Sequence, residues 1–364
     1  MKRILLTLLI TLITSPMMLK AKQKVILVTV DGYRWQELFG GADSLLINQK
    51  EFGDVKRMKE MYWRSTPEER RQALMPFTWS FIHKHGVMIG NRWEGSKMNL
   101  TNQIWISYPG YHELLCGFAD DKNINSNAPI PNPHPTVFEI AQHSPQYKDA
   151  VLCFGSWGRF IEIFTEKRSG LKVNANYRHA MTEKPTAREK YLDKLTELCP
   201  RYWGEERFDF LTHEYAMEAL RTQHPKFVFI GYGDTDEWAH AGKYQLYLDA
   251  AHSTDAYLQE LWNLLQSDPF YKDQTTVIVT CDHGRGDKDE KGWFHHGKSV
   301  ENSDQTWLMA FGKGIPAQGM LRTGNYYNNQ IAPTIAHLLG IKFKPNYPGI
   351  GEKIDLRFSH QNKR

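Results

Sequence analysis

The chain reads as an α/β protein: a three-layer sandwich with a mostly parallel central sheet and helices on both faces. Three observations predict this. Short, β-branched apolar runs recur along the sequence, helical apolar spacing fills the intervals between them, and several of the runs stop abruptly at an acidic residue. A short continuous apolar run of this kind fits a strand buried on both faces, which is the situation inside a parallel sheet. Strands alternating with helices then give layers of helix, sheet and helix.

The first run, Lys24 to Val30, ends at Asp31-Gly32. Similar runs follow at Ala150 to Phe154, Phe227 to Ile230, Thr276 to Thr280 and Trp307 to Phe311. Helical spacing of apolar residues is clear from Leu246 to Leu265 and shorter from Gln330 to Leu339. The stretch Asn123 to Pro135, rich in Asn and Pro, predicts a long ordered loop. Residues 166–207 are polar and weakly periodic, which suggests a small lid or subdomain. No internal repeat or flexible linker interrupts the chain, so a single catalytic domain over residues 22–364 is the economical organisation.

Composition excludes some function classes. With 45 basic and 41 acidic residues the net charge is +4, and no basic cluster interleaved with aromatics marks a nucleic-acid surface. The start of the chain reads as an export signal over residues 1–21. Lys2 and Arg3 precede an apolar stretch from Ile4 to Ile13, and Ala21 offers a small residue for cleavage. That stretch is short for a bilayer span, which needs about 20 residues. A periplasmic or secreted protein without stable membrane insertion is expected. The four cysteines, Cys116, Cys153, Cys199 and Cys281, match no zinc spacing and allow none, one or two disulfides. Cys281, at the end of an apolar run, is expected to be a buried thiol.

In open α/β sheets, binding sites lie at the carboxyl ends of the strands. Acids and histidines gather there. Asp31 follows the first run, Asp234 and Asp236 follow Phe227 to Ile230, and Asp282-His283 follow Thr276 to Thr280. Asp236 and His240 stand four apart, so a helical turn puts both on one side. His295-His296-Gly297 lies on a later loop. Asp31, Asp236 and Asp282 with His240, His283 and one of His295 or His296 make three carboxylates and three imidazoles. That mixture suits zinc, or manganese, better than calcium or magnesium. Ser107, in Ile106-Ser107-Tyr108-Pro109-Gly110, fits a helix start, where unpaired N–H groups and the positive end of the dipole favour an anion. A bare serine is a poor nucleophile and gains reactivity from a metal.

These motifs together resemble the alkaline phosphatase superfamily, in style closest to its phosphodiesterase and nucleotide pyrophosphatase branch. Val-Thr-Val-Asp-Gly at 28–32 is similar to the family's first ligand strand, and Ser107 with Pro109 to its nucleophile. Asp236 with His240, Asp282-His283-Gly284 and His296-Gly297 are similar to its remaining ligand motifs. Residues 331–341 resemble its closing helix. The resemblance implies two divalent ions, most simply zinc. Asp236, His240 and His296 would hold one, and Asp31, Asp282, His283 and the Ser107 oxygen the other. His296 is preferred to His295 because it directly precedes the glycine. It also implies hydrolysis of a small-molecule phosphate ester through a phosphoserine.

Asn127, with Asn125 as a competitor, and Arg159 stand near where relatives carry groups that touch the phosphoryl oxygens. The Lys of the monoesterases' Lys-x-Arg pair is missing around Arg159. Tyr108, Tyr111, Trp157 and Phe160 offer aromatic walls for a second ester group, so a phosphodiester is expected to be preferred over a monoester. A phosphomonoesterase, a phosphoglycerate-type mutase, a sulfatase and a non-catalytic binding protein are the competing readings. Against the sulfatase, whose motif is C/S-x-P-x-R, the chain has Tyr111 in place of the Arg.

Overall fold

The computed structural model describes residues 23–345 and 347–356; the export-signal reading of residues 1–21 lies outside them. Among the described residues there are eleven strands: β1 Lys24–Val30, β2 Gly86–Ile89, β3 Lys97–Asn99, β4 Val151–Gly155, β5 Lys172–Ala175, β6 Phe227–Tyr232, β7 Thr275–Thr280, β8 Gln305–Thr306, β9 Leu308–Gly312, β10 Gly319–Met320 and β11 Asn325–Tyr327. Eight of them make one sheet in the order β10-β2-β9-β7-β1-β6-β4-β5, and β11-β3-β8 make a small second one.

β1 lies at the centre, parallel to β6 on one side and β7 on the other, and every one of its residues is buried. Its side chains alternate between two cores, as the pleat requires. Ile26, Val28 and Val30 pack with Met217, Leu220, Leu258 and Leu261, from the helices Asp209–Gln223 and Tyr244–Ser267. Val25 and Leu27 pack with Leu114, Leu115, Phe138 and Ile335, from the helices on the opposite face. The apolar runs are continuous because both faces of the sheet are covered. The result is the expected three-layer α/β sandwich.

The sheet is parallel from β7 through β1, β6 and β4 to β5, whereas β9 runs antiparallel to both β7 and β2. Six strands fall outside the expected set, among them β2 and β5 of the main sheet. β2 has four residues, too few for a periodicity to show. β5, with the sequence Lys-Val-Asn-Ala, lies within the weakly periodic 166–207 segment and forms an edge of the main sheet. The same segment contains the helix Ala187–Leu198, started by a capping box between Thr186 and Glu189. All four cysteines are free thiols, with Cys116, Cys153 and Cys281 buried. Among the described residues no helix is long and apolar enough to cross a membrane.

The helix Ser107–Cys116 carries the candidate nucleophile and is buried along its whole length. Glu113 anchors it. Its carboxylate accepts from the Thr101 and Asn102 backbone N–H groups, from Asn102 Nδ2 at 2.8 Å and from the Asn329 N–H at 3.1 Å. One buried acid thus ties the helix to the loop before it and to the segment before the closing helix. Glu113→Ala should leave those donors unpaired and cost about 3 kcal/mol or more, read as a lower midpoint in urea unfolding. Its neighbour His112 is also fully buried, and burial, then His134, push its pKa down from 6.5 to about 4. The unfolded chain therefore takes up this proton first as the pH falls. The stability this represents is present above about pH 6.5 and is lost towards pH 4, up to about 3 kcal/mol in all. His112→Gln should flatten that part of the stability profile.

Candidate metal centre and nucleophile

The adjacency of β6, β1 and β7 brings three strand ends together. Val30 pairs with Tyr232 and Thr29 with Thr280, so Asp31, the helix Asp234–His240 and Asp282 emerge side by side. Gly32 turns the chain after Asp31 at φ +57°, and its N–H donates to Asp282 Oδ1 at 3.1 Å. Tyr111, one helical turn beyond Ser107, donates its hydroxyl to Asp31 Oδ2 at 3.1 Å. The nucleophile helix is thereby fixed to the first acid.

His283 Nε2 is the focus of one half of the site. It lies 3.3 Å from Asp31 Oδ1, 3.4 Å from Asp282 Oδ2 and 3.3 Å from Ser107 Oγ. Its Nδ1 is 2.9 Å from the Gly284 carbonyl oxygen. A carbonyl only accepts, so Nδ1 carries a hydrogen, and Nε2 is the atom turned to Asp31, Asp282 and Ser107.

The other half is built from Asp236, His240 and His296. Asp236 Oδ2 is 3.1 Å from His240 Nε2, and the Nε2 atoms of His240 and His296 face each other at 3.0 Å. His296 Nδ1 is held by the Trp105 carbonyl at 3.1 Å, which makes Nδ1 the hydrogen-bearing nitrogen and leaves Nε2 to face His240. Trp105 presents that carbonyl from a left-handed backbone position, φ +55°. Asp236 Oδ1 lies 3.8 Å from both His283 and His296, between the two halves. His295 is exposed and points into a shallow depression beside the site.

Electrostatics follow from burial. Burial, then Asp236, raise the Asp31 carboxyl well above its usual range, and burial, then Asp31, do the same for Asp282. Burial would raise Asp236 too, but Arg285 beside it, then His240, hold it well below. Burial, then His283, push His296 down. Asp31 Oδ1 and Asp282 Oδ2 are buried acceptors that receive no hydrogen bond. Two orphaned carboxylate oxygens and three converging imidazole Nε2 atoms make a set of ligand atoms that a shared positive charge would complete. The residues group as Asp236, His240, His296 and as Asp31, Asp236, His283, and each group fits a divalent cation.

Around Ser107, Asn127 Oδ1 accepts from the Tyr108 N–H at 2.9 Å, at the helix N-terminus. Asn125 instead donates to the Lys122 carbonyl and is exposed. Arg159 donates through Nε to the Asn127 carbonyl at 2.9 Å, and its guanidinium pairs with Glu205. The aromatic walls expected beside the nucleophile need correction. Tyr108 and Tyr111, within the fully covered helix, and Phe160, packed against Tyr111, are buried in the core; Trp157 alone of the four is partly exposed.

Two residues not singled out from the sequence join the site. Arg285 contacts Asp236, and its sequence signal was its position directly after Asp282-His283-Gly284. Glu206 is buried with Oε1 unpartnered, and burial, then Glu237 and Asp31, raise its pKa well above the carboxylate range. It packs against Gly233, where a β-carbon would meet its carboxylate at 1.4 Å. No local pattern in the sequence marks Glu206.

Residues 164–341 match the sulfatase family model. No curated protein matches the sequence. Among solved structures, the lipoteichoic acid synthase LtaP from Listeria monocytogenes is similar over 92% of this chain and 75% of its own, at 12% identity and a TM-score of 0.57. Murine ectonucleotide pyrophosphatase/phosphodiesterase 5, in complex with AMP, is similar over 89% and 97%, at 14% identity and a TM-score of 0.55. A putative sulfatase from Bacteroides thetaiotaomicron is similar over 92% and 76%, at 12% identity and a TM-score of 0.56. The sulfatase match covers just under half of the chain, and these solved structures share its fold; both agree with the resemblance to the alkaline phosphatase superfamily read from the motifs.

Gly32 supplies a direct test of the geometry. A β-carbon there would lie 2.4 Å from Asp236 Oδ1 and 2.6 Å from Arg285 Nη1, on a backbone that disfavours L side chains. Gly32→Ala should destabilise the protein by about 2 kcal/mol or more, measured by thermal unfolding. A neutral result would mean that Asp236 and Arg285 do not sit against this turn.

Proposed function

We propose that the chain hydrolyses phosphate esters through Ser107, with two divalent cations, most simply zinc. Asp31, Asp282, His283 and the Ser107 oxygen would hold one, and Asp236, His240 and His296 the other. The observation that carries the reading is the Ser107 hydroxyl, 3.3 Å from His283 Nε2, the same nitrogen that the orphaned oxygens of Asp31 and Asp282 approach. When bound, such ions would lower the pKa of the serine and of the attacking water and offset charge on the departing oxygen.

The chain's own groups supply orientation. Tyr111 ties the nucleophile helix to Asp31, and the carbonyls of Gly284 and Trp105 fix the tautomers of His283 and His296. Ser107 Oγ bonds to phosphorus as the ester oxygen leaves, and water then cleaves the phosphoserine. Asn127 uses its oxygen on the Tyr108 N–H, which leaves Nδ2 to donate to a phosphoryl oxygen.

Within this reading a diester is preferred. The dianion of a monoester calls for an extra cation. Arg159, the candidate for that role, is held by Glu205, with Glu162 at 3.9 Å. A sulfate ester is the second reading, favoured by the sulfatase match. That match begins at residue 164, beyond Ser107, and at Tyr111 a hydroxyl bonded to Asp31 stands where the sulfatase motif has Arg.

Purified protein should carry about two zinc ions per chain, and His240→Ala and Asp282→Ala should each lose metal along with activity. Elemental analysis finding no divalent metal would defeat the two-ion reading. Ser107→Ala should lower turnover by about three orders of magnitude or more with metal retained, and phosphate should be trapped on Ser107. Comparing aryl phosphate, methyl aryl phosphate and aryl sulfate separates the substrate classes. A monoester advantage above about tenfold would overturn the diester preference, and turnover confined to the sulfate would replace the phosphate reading.

A further inference from the structure

Arg285 is the one cationic side chain that touches the candidate ligands directly among the described residues. It is 1% exposed, with Nε donating to the Trp293 carbonyl at 2.7 Å and Nη2 to the Phe294 carbonyl at 2.6 Å. The remaining arm, Nη1, pairs with Asp236 Oδ1. Gly32 closes over the contact, since a β-carbon there would strike both partners. A guanidinium is always charged, and two fixed carbonyls prevent this one from swinging away.

We propose that Arg285 is a built-in cation that makes the two metal positions unequal, so that the ion held by Asp236, His240 and His296 is the weaker and more exchangeable of the pair. This rests on the two-ion reading above. The argument is one of charge. Asp31 and Asp282 bring two negative charges to the first position, besides a neutral imidazole and the serine oxygen. The second position has one carboxylate and two neutral imidazoles, and Arg285 cancels that carboxylate's charge. The guanidinium also occupies lone pairs of Asp236 Oδ1 and repels an incoming cation where little water screens the interaction. When the second ion leaves, Arg285 keeps Asp236 in place. Arg285 is thus a positioning residue that also sets metal affinity.

The test is zinc titration of the chelator-stripped protein, followed by competition with a chromophoric chelator. Wild type should bind in two steps separated by at least about tenfold. Arg285→Gln should tighten the second step by about tenfold and change the first by clearly less, while Arg285→Lys, which keeps the charge, should stay close to wild type. Arg285→Met repeats the measurement if the glutamine variant does not fold. Two equal steps in wild type would overturn the proposal, and so would a second step that weakens in the uncharged variants. Binding of no zinc at all by wild type would instead overturn the two-ion reading, and this inference with it.

Discussion

Everything at the site depends on the burial of like charges. Asp31, Asp236 and Asp282 converge at the ends of three neighbouring strands, and desolvation alone would drive such a group to take up protons. The chain answers with directed donors. Tyr111 and the Gly32 N–H each serve one oxygen, and Arg285 serves a third. What these donors leave over, Asp31 Oδ1 and Asp282 Oδ2 beside His283 Nε2, is the pattern that a bound cation would complete.

The surrounding structure is organised to hold that arrangement still. Ser107 is fixed by its helix, the helix by Glu113, and the loop before it by Asn102, whose Oδ1 accepts from the Ile104 and Trp105 N–H groups. Trp105 in turn presents its carbonyl to His296. Ser107 and the His296 imidazole are therefore positioned by one continuous set of hydrogen bonds. Two glycines serve close approach: Gly32 makes room for Asp236 and Arg285, and Gly233 for Glu206.

Glu206 and Arg159 show how the 199–208 loop shapes the approach to Ser107. The loop sends Glu206 towards the buried acids, while Glu205 pairs with Arg159 and keeps that guanidinium engaged. An arginine near the nucleophile is thereby balanced by a neighbouring acid. Its residue type alone would have suggested an anion-binding role; its partner shows that the charge is already matched within the chain.

The β-branched runs determined β1, β4, β6, β7 and β9 to within a residue or two at most of their ends, because strands buried on both faces must be apolar throughout. Asp31, Asp236, Asp282 and His283 were legible as acids and an imidazole at or just after strand ends, and His240 as a partner one helical turn from Asp236, both local properties; Ser107 and His296 were singled out through the family resemblance. What the sequence could not determine was strand order. β1 lies between β6 and β7, some two hundred residues later in the chain, and only that pairing brings the three acids together. Tertiary structure also decided which residues neutralise them. Arg285 and Tyr111 act through partners distant in sequence, as does the further buried acid Glu206, and a polar side chain's burial depends on packing that no local pattern records. The same packing withdrew Tyr108 and Phe160 into the core, since aromatic residues beside a fully covered helix gain more from apolar contact than from facing the site.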